Sequence, residues 1–150
     1  MILLDEATKD WAMDGVWKIA PAKLSWISEG ARVRIGKEAS IGAWASIGAR
    51  VRIGKEASIG DEASIGEEAF IGDEAFIGAK SNEAIDLGCA NGYRICIAQV
   101  DGVAYIGAGC RWFTLAKALK HWSIKPDREL NMCLMMAAVH IAGLRGWSHE

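Results

Sequence analysis

Isoleucine followed by glycine recurs every six residues through the first half of the chain, eight times without a slip, from Ile35-Gly36 to Ile77-Gly78. Two positions before each isoleucine stands a small or β-branched residue: Val33, Ala39, Ala45, Val51, Ala57, Ala63, Ala69 and Ala75. The unit is [AV]-x-I-G-x-x. A period of six does not fit a helical stripe, which recurs near 3.6 residues. Isoleucine and the residue two before it do fit a short strand, both pointing to one side. The glycine is expected to relax the backbone for a corner. Strand-and-corner units of this kind stack into a solenoid, each rung buried only against its neighbours.

The segment 31–42 returns unchanged at 49–60, a shift of 18 residues. This run resembles the hexapeptide-repeat superfamily of left-handed parallel β-helices over about residues 31–80. The resemblance implies a triangular coil of three hexads and a mainly β fold of about three coils. It also implies a homotrimer or higher assembly that covers the open ends. It leaves the chemistry open, because the family includes acyltransferases, carbonic anhydrases and non-catalytic members. Eight hexads make fewer than three full coils, and alanine at most second inward positions thins the core further. Capping elements or subunit partners are needed for the exposed strand edges.

Residues 1–30 read as an N-terminal cap, with a short helix over Asp5 to Met13 and a strand-like lead-in from Val16 to Ile27 carrying Trp17 and Trp26. Residues 81–150 read as a small α+β cap, a β-hairpin plus two helices. Turn formers across 79–92 mark the boundary. Tyr93 to Val100 and Val103 to Ile106 flank Asp101-Gly102, a pair suited to a type I′ turn, and Gly107 and Gly109 end the hairpin. Thr114 caps a helix running to about His121. Pro126 and Asp127 start a second helix over about 128–142, with Leu130, Leu134, Ala137, Ala138 and Ile141 as its buried stripe, stopped by Gly143 and Gly146.

Hydrophobic residues make up 51% and charged residues 24% of the 150, with a net charge of −2, which excludes wholesale disorder. Neither half is strongly basic, so no general nucleic-acid binding is expected. No apolar run approaches a membrane span and the start carries acids at once. A cytoplasmic protein without membrane partners is the expectation. Cys89, Cys96, Cys110 and Cys133 form no CxxC pair, so zinc spacing is absent. Reduced thiols packed as small hydrophobes are expected, with a disulfide framework as the alternative.

Stacking at the 18-residue shift places residues about 4.8 Å apart on adjacent rungs. One face then carries Arg32, Arg50 and Glu68 in one column, and Arg34, Arg52 and Phe70 in the next. Four arginines crowded onto one patch repel and call for an anion. Acids of a neighbouring subunit (Glu56, Asp61, Glu62, Glu67, Asp73) would complete it as an interface. A phosphate- or carboxylate-bearing ligand would complete it as a binding site.

The second face carries Ser40, Ser58 and Phe76, the third Ser46, Ser64 and Asn82. These flat serines permit close approach of another subunit. Phe70 and Phe76 point outward and are expected where the C-terminal segment or a second subunit packs. Trp44, at a corner with Glu62 one rung on, could stack on a ligand or partner. Cys110-Arg111-Trp112-Phe113, with Arg94, is a second candidate for an anionic or aromatic ligand. A hairpin-to-helix corner burying Trp and Phe is the plainer account.

His121, His140 and His149 all lie outside the repeat, so the three-His metal site of hexapeptide carbonic anhydrases has no counterpart on the coils. His121 is the alternative catalytic base, although a helix C-terminal His is also favoured by the dipole. No GxSxG elbow occurs, and GAGC at 107–110 is not a phosphate loop. No metal or cofactor is expected. The residues point to a non-enzymatic homo-oligomer holding a small anionic ligand, of nucleotide signalling type, as would suit a viral or mobile-element sequestering protein. The alternatives are an acyltransferase using acyl-CoA and a structural assembly or attachment module.

Overall fold

The computed structural model describes residues 2–3, 12–14, 17–19, 33–125 and 127–150. Three short strands lie near the N-terminus: β1 (Ile2–Leu3), β2 (Ala12–Asp14) and β3 (Trp17–Ile19). Eight two-residue strands then fill the repeat: β4 (Arg34–Ile35), β5 (Ser40–Ile41), β6 (Ser46–Ile47), β7 (Arg52–Ile53), β8 (Ser58–Ile59), β9 (Ser64–Ile65), β10 (Phe70–Ile71) and β11 (Phe76–Ile77). Every isoleucine of the repeat is buried and meets the buried Val or Ala two before it, with Ala69 only partly covered.

Pairing follows the 18-residue shift. Arg34 lies opposite Arg52 and Arg52 opposite Phe70; Ser40 opposite Ser58 and Ser58 opposite Phe76; Ser46 opposite Ser64, all in parallel. The chain therefore returns to each of three faces once per 18 residues.

The repeat glycines do not supply the corners. Positive φ falls two residues later, on Glu38, Trp44, Arg50, Glu56, Glu62, Glu68, Glu74 and Lys80, at 57° to 62°. From Glu56 onward each of these residues donates its N–H to a carbonyl of the preceding coil, as Glu56 does to Lys37 and Glu74 to Lys55, at 2.9 and 2.8 Å. The glycine is needed for close approach. At Gly36, Gly42, Gly48, Gly54 and Gly60 a Cβ would fall under 3.0 Å from the backbone of the next coil. Asp61 and Asp73 brace the same corners, accepting from the N–H groups of Ala43 and Lys55 one coil earlier, at 2.9 and 2.8 Å.

At the first coil, β1 pairs antiparallel with β5 and β3 with β4. Ala12 and Met13 lie in strand β2 where a helix was expected. The rest of that helix, and Trp26, fall outside the described residues.

The C-terminal part is a four-stranded antiparallel sheet where a two-stranded hairpin was expected: β12 (Asn82–Ala90), β13 (Tyr93–Val100), β14 (Val103–Ala108) and β15 (Arg111–Thr114). The supposed boundary at 79–92 contains β12, and the supposed corner at Cys110 to Phe113 contains β15. Asn91-Gly92 and Asp101-Gly102 both turn with positive φ at each residue, the geometry of type I′.

The sheet is a middle layer. Cys96 joins the solenoid core on one side, while Ile95, Ile97 and Ile106 join the core under helices α1 (Leu115–Ser123) and α2 (Glu129–Arg145) on the other. This double coverage makes Ile95-Cys96-Ile97-Ala98 a continuous buried run.

Thr114 caps α1 by accepting from the Lys117 N–H. The second helix starts at Glu129, runs through Gly143 and ends at Gly146, whose φ of 71° is left-handed. Its buried residues are Asn131, Met135, Ala138 and Ala142. Of the expected stripe only Ala138 is buried, and Leu130 and Ala137 are exposed. Apolar residues run all round this helix, so periodicity alone does not fix which side turns inward.

Candidate anion site

Three of the four arginines of the expected square are described. Arg34 and Arg52 are strand neighbours. Arg50 occupies a positive-φ corner, and its Nη1 donates to Glu68 Oε1 at 2.6 Å, with both side chains exposed. Arg32 lies outside the described residues. Among the acids expected to cross from a neighbouring subunit, Asp61 and Asp73 are committed to corners of their own chain.

Strand alternation separates the second cluster. Arg94 and Trp112 face the last coil. Arg94 donates from Nη1 to both oxygens of Asp86 at 3.2 Å and from Nε to the Asp73 carbonyl at 2.8 Å. Asp86 Oδ2 also accepts from the Gly72 N–H at 2.6 Å. Burial alone would lower the Arg94 pKa, but the Asp86 charge and hydrogen bonds outweigh it and hold it raised. Trp112 stacks on Tyr105 at 5.5 Å and covers Phe76 at 6.2 Å. Phe76 thus meets the C-terminal segment as expected, while Phe70 stays 55% exposed. Both Arg94 and Trp112 close the end of the solenoid.

Arg111 faces the other way, into a pocket of about 50 Å³ lined by Tyr93, Ala108, Arg111, His121, Trp122, Lys125 and Arg128. Two strand ends bring Tyr93 and Arg111 together, the last turn of α1 supplies His121, and the loop to α2 supplies Lys125 and Arg128. Among the described residues, no carboxylate lines the pocket. Arg111, Lys125 and Arg128 form no ion pair among the described residues.

The Arg128 guanidinium lies 6.0 Å from the Tyr93 ring centre, and the His121 ring meets Phe113 and Trp122 edge-on at 5.7 and 5.0 Å. Desolvation, then the charges of Lys125 and Arg111, lower the His121 pKa below its ordinary value. Three fixed cations and an imidazole that resists protonation share one mouth, an arrangement that favours an entering anion.

Lys125 and Arg128 were missed from sequence, although the basic run Lys120-His121 to Lys125 and Arg128 carried a signal. Among the described residues, no group of three His, Cys, Asp or Glu could hold a metal, and no helix is long and apolar enough to cross a membrane. All four cysteines are free thiols; only Cys96 is buried, and Cys89, Cys110 and Cys133 are exposed. No family model matches the chain, and neither does a curated protein or a solved structure.

Proposed function

We propose that the chain is a non-enzymatic, homo-oligomeric left-handed parallel β-helix of the hexapeptide-repeat kind that holds a small anionic ligand in the cap pocket. The observation that carries this reading is the convergence of Arg111, His121, Lys125 and Arg128 on one pocket without a lining carboxylate. The pocket has room for one phosphate- or carboxylate-sized group, with the remainder of a nucleotide-type ligand extending past Tyr93. The serine columns, Ser40 with Ser58 and Ser46 with Ser64, support close packing of cytoplasmic subunits as a trimer. A rigid scaffold carrying such a pocket suits sequestration of a nucleotide signal by a viral or mobile-element protein.

A thermal-shift screen of sulfate, inorganic phosphate, mononucleotides, cyclic nucleotides and acyl-CoA tests this. A ligand present at a hundredfold its Kd stabilises by about 2.7 kcal/mol. The expected result is a rise with phosphate-bearing ligands that the double variant Arg111→Ser, Lys125→Ser abolishes. No shift with any phosphate-bearing ligand at about millimolar concentration would overturn it. The acyltransferase alternative draws on His121, whose lowered pKa keeps the imidazole in the neutral form that a general base needs. Release of free CoA thiol would establish that alternative.

A further inference from the structure

The outer face of α2 is apolar and uncovered. Leu130, Met136 and Leu144 are 51%, 57% and 76% exposed, and Cys133 and Ala137 are exposed beside them. At about 100° per residue, Leu130, Cys133, Ile141 and Leu144 all fall within about 40° of Ala137. The buried residues Asn131, Met135, Ala138 and Ala142 lie on the flank turned to the sheet. Leu130, Cys133, Ala137 and Leu144 therefore make a second, exposed apolar face of the same helix, with Ile141, partly buried against the cap core, on its border.

This stripe is symmetric about Ala137. Leu130 and Leu144 stand seven residues to either side, Cys133 and Ile141 four, and Glu129 and Arg145 eight. Glu129 and Arg145 are also the only charged residues of the helix, and Arg145, which meets Glu83 of its own chain at 3.4 Å, keeps a half-exposed side chain. A two-fold axis through Ala137 lays a second copy antiparallel on the first, Leu130 against Leu144 and Cys133 against Ile141. It sets the acidic end of each helix beside the basic end of the other, and each positive N-terminal dipole end beside a negative C-terminal one. A parallel pairing would bring like charges together at both ends. The pattern is self-complementary, as an isologous interface requires.

We propose that α2 is a two-fold docking surface for a second copy of this chain, with Ala137 at the axis. Of the reading above, this rests only on self-association and not on the anion pocket. The helix lies on the side of the cap sheet away from the coils, so the two-fold contact leaves the serine columns available. A trimer built on those columns would be joined through α2 into a dimer of trimers.

The test combines crosslinking with particle mass. Helix axes about 8–10 Å apart, each with its Cα atoms about 2.3 Å from the axis, bring the two Ala137 Cα atoms to about 3.4–5.4 Å. That is within disulfide reach. In a chain with Cys89, Cys110 and Cys133 changed to Ser, Ala137→Cys is expected to form a disulfide-linked dimer under mild oxidation. Cysteine placed instead at exposed Lys117 is expected not to crosslink.

By light scattering, Leu144→Glu, at a position 76% exposed and so compatible with folding, is expected to halve the particle mass. Absence of the crosslink in the Ala137→Cys chain, or an unchanged mass for Leu144→Glu, would overturn the proposal. Phosphate titration of the wild-type protein is scored separately: absence of binding would overturn the anion reading and leave the α2 contact to be decided by the crosslink and the mass.

Discussion

The indole of Trp112 sits directly on Gly78, so close that a Cβ on the glycine would fall under 3.0 Å from the ring. The Arg94 guanidinium stands in the same relation to Gly72. The last coil, which has no further coil to cover it, is closed by two side chains of the cap sheet in place of backbone. Gly78→Ala is therefore expected to destabilise by about 1–3 kcal/mol in urea unfolding, the cost of overpacking a filled site. Gly66, with no heavy atom near its missing Cβ and no positive φ, is the control. Gly66→Ala is expected to be neutral or to gain about 0.4–1 kcal/mol. Equal effects at both positions would refute this account of the coil end.

The corners store backbone strain on ordinary L residues. Glu56 has φ of 58° and an exposed side chain, and its ion pair with Lys55 is long at 3.9 Å. Substitution there reads the backbone almost alone, since such surface pairs contribute little. Asn tolerates this conformation and a β-branched residue does not. Glu56→Asn is expected to raise the urea midpoint and Glu56→Val to lower stability by about 1 kcal/mol. A Val variant as stable as the wild type would remove the strain argument.

Asp86 ties three elements at once through Arg94, the Gly72 N–H and the Gly88 N–H. Its side chain is 6% exposed and that of Arg94 20%. Asp86→Asn leaves the guanidinium half-buried without its counter-charge, so a loss of about 3 kcal/mol is expected. If Arg94→Met with Asp86→Asn recovers none of that loss, the two side chains are not coupled.

The coils are legible in the sequence because a period of six matches no helix and the 31–42 segment repeats intact. The role of glycine is not, since close approach and a left-handed φ leave the same trace until a neighbouring backbone is in view. Asn91-Gly92 carried the same hairpin signal as Asp101-Gly102, but the mixed residues of β12 masked the strand before it. Which face of α2 turns inward is not legible in a helix apolar all round. In the candidate site, Arg111 stands out locally, whereas Lys125 and Arg128 join it only because the chain doubles back between α1 and α2.

Burial, followed by the charge of Asp86, pushes the Cys96 thiol far above its ordinary range, so the thiolate that reacts is scarce. Cys89, Cys110 and Cys133 are exposed. A maleimide is expected to label three thiols quickly and the fourth only on unfolding. Fast labelling at Cys96 would show that the sheet separates from the last coil in the native state.

His121 gives the pocket a signature in pH. Its pKa is lowered in the folded chain from 6.5 in the unfolded one. The unfolded state therefore binds more protons between those two values, and stability falls as pH drops from about 6.5 through the lowered folded value. Above 6.5 the imidazole is neutral in both states and the contribution is complete. An anion held between Arg111, Lys125 and Arg128 acts in the opposite sense, because it favours the imidazolium. Sulfate, whose own charge is constant through this range, is expected to raise the His121 midpoint read from its ring proton resonances. By linkage, sulfate must then bind more tightly as pH falls from about 7.5 to 5.5. The Arg111→Ser, Lys125→Ser variant supplies the matching control: His121 moves up toward 6.5 without sulfate, since two cations are gone, and sulfate no longer shifts it. A midpoint in the wild-type protein that sulfate leaves in place would show that the anion does not enter this pocket.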